Sequence, residues 1–219
     1  MKPDLETAAI RAYETLIRNN VSYAPISPLP ILKRMKGVLV VSFAEMADRI
    51  GIGRHCVLDN LTEENHDAFT AVDVHNGTNH YIIAYNQRLP TYVTDRALAR
   101  ELGHIVLGHN GTRPEETRNE EALVFARHLL CPRPLIRLIQ DAGITITTEL
   151  LGNVTGCYER CQGCIRQTPG AKVPPELNRL VRQQFEEYVN ELRGFQSFLS
   201  KDDHTGPVDF GTYFDFYEE

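Results

Sequence analysis

Ala99-Arg100-Glu101-Leu102-Gly103-His104-Ile105-Val106-Leu107-Gly108-His109 is the stretch from which the rest of the chain is read. Leu98, Leu102, Ile105 and Val106 recur at helical spacing, Thr94 or Asp95 can cap the start, and Gly108 stops the run. Inside this helix, residues 100–104 have the shape of the metal motif H-E-x-x-H with arginine in the first position. In that motif two histidines four residues apart share one helix face, so both imidazoles reach one ion, and the glutamate beside the first activates a bound water. A guanidinium stays protonated and has no lone pair to give. Arg100 therefore cannot act as the missing imidazole.

Upstream, the chain reads as a small sheet with short helices. Residues 38–41 are an apolar run suited to a buried strand, and 68–74 and 81–85 are rich in β-branched and aromatic side chains. Asn76-Gly77 between the last two signals a hairpin. Residues 4–19 place Leu5, Ala8, Ala9, Ala12, Leu16 and Ile17 at helical spacing, and shorter helices are predicted over 31–35 and 43–50. Downstream, Thr112-Arg113-Pro114-Glu115 has a capping-box pattern and opens a second helix, with Ala122, Phe125, Ala126 and Leu129 inward and Pro132 beyond its end. Glu120 and Glu121 on this helix are the candidates for a third ligand, since a tight turn and an antiparallel helix pair would return them to the metal position. After Pro134, short helices to about residue 167, a Pro/Gly link over 168–175 and a long helix over 176–195 are expected.

In order and spacing, these pieces resemble the ImmA/IrrE family of phage- and mobile-element-associated metallopeptidases. The resemblance is carried by a hairpin ending in Tyr85-Asn86, the helix from Ala99 to His109, Glu121-Ala122 with Phe125-Ala126, and Leu130-Cys131-Pro132. It implies an α+β, zincin-like metallopeptidase domain over 1–135, followed by a helical support region over 136–199 and an acidic aromatic tail over 200–219. It further implies zinc as cofactor, His104 and Glu121 as surviving metal ligands, Glu101 as general base, and a regulatory protein, often a transcriptional repressor, as substrate.

With Arg100 in place of the first His, a zinc ion keeps at most two of its three protein ligands. The expectation is a pseudoenzyme that binds such a regulatory protein, with zinc weak or absent. An active zinc endopeptidase with an unorthodox ligand set is the alternative. His109 is rotated off the ligand face, and His128 lies about 10 Å along the helix axis from Glu121, so both are poor replacements. Arg100 is instead expected to lay its guanidinium against Glu121. Ile82, Ile83, Tyr85 and Asn86 are expected to line the cleft, because peptidases of this kind hold an extended substrate against a sheet edge.

The chain has 219 residues, with 23 basic and 29 acidic ones and a net charge of -6. That balance works against attraction to nucleic acid or an anionic membrane. No basic amino-terminal region leads into an apolar run, and no stretch approaches the ~20 apolar residues of a membrane span, so a cytoplasmic protein is expected. Five cysteines suit reduced thiols better than a disulfide framework. Cys157, Cys161 and Cys164 leave three readings open: packing on one helix face, a structural zinc site, or an iron-sulfur cluster. His55-Cys56 are adjacent and unsuited to a nucleophile pair. Residues 143–167 are faintly like a helix-turn-helix, which makes a DNA-contacting regulator the second alternative, although Arg160 and Arg166 are nearly their only basic residues. The tail from Asp209 carries five aromatics and four carboxylates, a composition suited to disorder or to docking in an apolar groove.

Overall fold

Asp4 begins the first helix by accepting a hydrogen bond from the Thr7 N–H at 3.0 Å. In chain order the elements are α1 (Leu5–Arg18), α2 (Pro28–Arg34), β1 (Val38–Ser42), α3 (Phe43–Ile50), β2 (Ala68–His75), β3 (Thr78–Tyr85), α4 (Thr91–Val106), α5 (Glu115–Leu130), α6 (Arg133–Asp141), α7 (Thr148–Thr155) and α8 (Pro175–Leu199). The computed structural model describes residues 2–51, 67–75, 78–109, 112–156 and 171–199. Asn76-Gly77, Asn110-Gly111, His55-Cys56, the three cysteines from Cys157 to Cys164 and the tail over 200–219 lie outside the described residues. By contact the chain divides into two units: Ser27–Gly108, and Met1–Ile26 joined with His109–Glu219.

The first of these units is the sheet with α2, α3 and α4. Its strand order is β1-β3-β2, with β3 parallel to β1 and antiparallel to β2. Ser42 ends β1 and starts α3 through a reciprocal capping box: its hydroxyl accepts from the Glu45 N–H at 3.1 Å, and the Glu45 carboxylate accepts from the Ser42 N–H at 2.6 Å. That contact also holds the Glu45 carboxyl below the usual range. α3 closes one face of the sheet, where Phe43 joins Val41 and Ala84 in a core and stacks against Phe69 at 5.8 Å between ring centroids. Ile83, next along β3, points to the opposite face and is fully buried.

Two expectations are corrected in this unit. α4 starts at Thr91, a turn earlier than a cap at Thr94 or Asp95 would place it, because the fixed φ of Pro90 turns its carbonyl to accept from the N–H groups of Val93 and Thr94. Asp95 instead accepts from the Ser27 hydroxyl at 3.0 Å, while burial pushes its carboxyl up. Ile82 to Tyr85 are not on a sheet edge. They lie on β3, the central strand, paired with Leu39–Ser42 on one side and Ala68–Ala71 on the other. Among the described residues, the outer strands are β1 and β2.

The other unit is helical. Pro114, which has no side-chain acceptor, occupies the cap position of α5, so the capping box expected from Thr112 does not form. Glu115 and Glu116 still favour the start of the helix through its dipole. Ala122, Phe125, Ala126 and Leu129 are buried as the periodicity predicts. α5 packs against α1, whose Ala8, Ala9, Ala12 and Leu16 are fully buried, and α8 packs on α6 and α1 through Val181, Phe185 and Val189. His128 sits inside this core, 2 % exposed, with Nδ1 at 3.4 Å from the Tyr13 hydroxyl and its ring edge-on to the Tyr13 ring. No helix among the described residues is long and apolar enough to cross a membrane.

Candidate functional site

Glu101 is the first side chain to weigh, because a general base needs a carboxylate held in place. It lies on the buried face of α4 with Ala97, Leu98 and Leu102, and is 8 % exposed. The Thr70 hydroxyl on β2 donates to its Oε2 at 2.6 Å, a short bond of the kind an ionised acceptor makes. Burial without such a donor would favour the neutral acid. Arg100 and His104, four residues apart on the same helix, are both half-buried. The one-turn spacing of the motif is therefore intact. Its first donor is a cation.

Glu121 lies in the other unit, on α5, and is 2 % exposed. Its Oε1 accepts from the backbone N–H of Asp4 at 2.7 Å and from Arg113 Nη1 at 2.9 Å. Its Oε2 faces the same Arg113 nitrogen at 2.8 Å and His109 Nε2 at 2.9 Å. Because a carboxylate only accepts, the His109 tautomer that bonds here carries its proton on Nε2. Burial pulls the His109 pKa down while the Glu121 charge opposes that pull. Arg113 also faces Asp4, whose carboxyl is held low chiefly by the Thr7 N–H and to a smaller degree by this guanidinium. The loop is braced in turn: Arg118 Nε donates to the Arg113 carbonyl at 3.2 Å.

These contacts add one residue to the site and revise one expectation. A guanidinium does stand on Glu121, that of Arg113 from the segment just before α5, a residue to which the sequence reading gave no role at the site. His109 does meet Glu121. Judging it by helical rotation assumes that α4 continues to residue 109, but the helix ends at Val106 and Gly108, at φ 64°, turns the chain. Pro114 so soon afterwards is the sequence signal that could have found both residues: a chain forced to turn twice in a few positions returns its side chains to the helix that follows.

The four residues expected to line the cleft have unlike surroundings. Ile82 is 36 % exposed, Ile83 is fully buried and Tyr85 is half-buried. Asn86 is buried and shapes the turn into α4, its side-chain oxygen accepting from the Arg88 N–H at 3.0 Å and its own N–H bonding the Asp67 carbonyl at 2.9 Å. Among the described residues, no group of three or more His, Cys, Asp or Glu side chains is assembled to hold a metal ion.

Compared with known proteins, residues 56–155 match the family model described as the IrrE N-terminal-like domain. The match includes α4, α5 and α6 and runs on through α7. No curated protein and no solved structure gives a match.

Proposed function

We propose that the chain binds a regulatory, repressor-type protein without cutting it, a reading supported by the match of residues 56–155 to the IrrE N-terminal-like domain and the metallopeptidase-like fold that goes with it. The observation that carries this reading is Arg100. It stands one helical turn before His104, where the zinc-dependent family has an imidazole, while Glu101 beside it keeps a buried carboxylate and a dedicated hydroxyl donor.

The residues present do not fit a zinc site. Arg100 offers no lone pair, and Glu121 already has donors on both oxygens. What remains is a shaped protein surface on a small sheet. An extended segment of the partner would add to β2, an outer strand whose Val72 and Val74 are 52 % and 65 % exposed, and not to the central strand carrying Ile82, Ile83 and Tyr85.

The test uses the full chain, purified without chelator, and a repressor-type candidate partner. Binding is followed by co-elution in size-exclusion chromatography, and cleavage by gel electrophoresis with and without one equivalent of zinc. Co-elution with the partner intact in both buffers is expected. Cleavage in the zinc-containing sample would establish the alternative, an active endopeptidase, and failure to co-elute would remove the binding role for that class of partner.

A further inference from the structure

The two oxygens of Glu121 make four contacts with donors from its own unit, at 2.7 to 2.9 Å, in a position 2 % exposed. A carboxylate engaged in this way has little left to offer an ion. We propose that Glu121 is not a metal ligand in this chain but the acceptor of a closed cluster, Asp4 N–H, His109 Nε2–H and Arg113 Nη1–H, in which Arg113 supplies the positive charge that the family takes from zinc. The proposal concerns the same region as the function above, and rests on that reading only in taking Glu121 as the family's third ligand position.

The charges decide between this and an incidental contact. An isolated carboxylate at such burial would be costly to keep ionised, and the usual remedies are a bound cation, a fixed cationic side chain or protonation. Here one nitrogen of Arg113 bridges both oxygens, and the guanidinium cannot be deprotonated at any working pH. Arg113 keeps 40 % of its side chain exposed, so its own desolvation is partial while Glu121 gains the whole contact. The remaining donors are a backbone amide and an imidazole, which complete the hydrogen bonding without adding a second permanent charge. Three chain segments thus converge on one carboxylate: the start of α1, the segment before α5, and α5 itself. That convergence gives Glu121 a structural task. A ligand role would require the cluster to be taken apart.

The experiment has two arms, both on the full chain. In the first, the thermal unfolding midpoint is recorded in EDTA, in buffer, and with excess zinc chloride, and bound zinc is counted after equilibrium dialysis. The midpoint is expected to stay unchanged, with no more zinc retained than by Glu121→Gln. A zinc-dependent rise in the midpoint that Glu121→Gln lacks would overturn the proposal. In the second arm, Arg113→Met is expected to lower the midpoint by several degrees, and Arg113→Met/Glu121→Gln to recover part of that loss, because removing the charge removes the need for its partner. Strictly additive losses would also overturn it, and the first arm decides the matter if Arg113→Met does not fold. Zinc uptake through Glu121 by a chain that still leaves its partner intact would sink this inference alone. Cleavage of the partner in EDTA would sink the proposed function alone.

Discussion

The hydroxyl of Thr70, on an outer strand, and the carboxylate of Glu101, on the helix that carries the metal motif, are joined by a 2.6 Å hydrogen bond. The bond couples β2 to α4 within one unit and holds in place the acid that would serve as base in a working peptidase. Thr70→Val keeps the shape and removes the donor. A loss of about 1.5–3 kcal/mol is expected in urea unfolding, the usual worth of a hydrogen bond to a charged group. An unchanged midpoint would show that other contacts of Glu101 suffice.

Phe125 is fully buried on the face of α5 that also carries Ala122, Ala126 and Leu129. Truncating it leaves a cavity that a helical core closes only in part, so Phe125→Ala should cost roughly 3–5 kcal/mol. Denaturant unfolding measures this directly, and a loss under about 1 kcal/mol would contradict the burial.

Position in the sheet sets a contrast between β3 and β2. Ile83 is fully buried on the central strand, and Ile83→Pro removes a ladder donor, so the sheet is expected not to form, as read by far-ultraviolet circular dichroism. Val74, 65 % exposed on β2, should accept lysine with a change within about 0.5 kcal/mol. If both variants behave alike, β3 is not the central strand.

His128 gives the pH dependence. Burial, helped by the charges of Arg133 and Arg127, pushes its pKa down from 6.5 to about 3, so the folded state holds it neutral. The unfolded chain then binds a proton that the folded one refuses between those values. Stability from this group is fully present above pH 6.5 and is lost as pH falls toward 3, with a slope that cannot exceed about 1.4 kcal/mol per pH unit for one proton. His128→Gln should be less stable near neutrality and should lose stability less steeply below pH 6. A parallel pair of curves would exclude His128 as the source.

Local features were legible in the sequence where a local cause fixes them. The apolar spacing on α1 and α5 identifies the side chains that are buried, whereas the capping box read from Thr112 does not form because Pro114 takes the cap position. The order of the strands was not legible, because it depends on Val38–Ser42 finding β3 across a long stretch of intervening chain, and no pattern in β3 distinguishes a central strand from an outer one beyond its buried Ile83 and Ala84. The motif helix gave Arg100, Glu101 and His104 at once. Its surroundings did not follow, since His109 and Arg113 reach Glu121 through a turn, and periodicity carries no information once a helix has ended.

The division of the chain bears on how it is assembled during synthesis. α1 belongs with α5 and α8, yet the whole of Ser27–Gly108 separates them in sequence. On a ribosome the sheet and α4 can therefore be complete while α1, made before them, still has its apolar alanines and Leu16 uncovered. α1 must wait for α5. Of the two units, the one interrupted in sequence is the later to close.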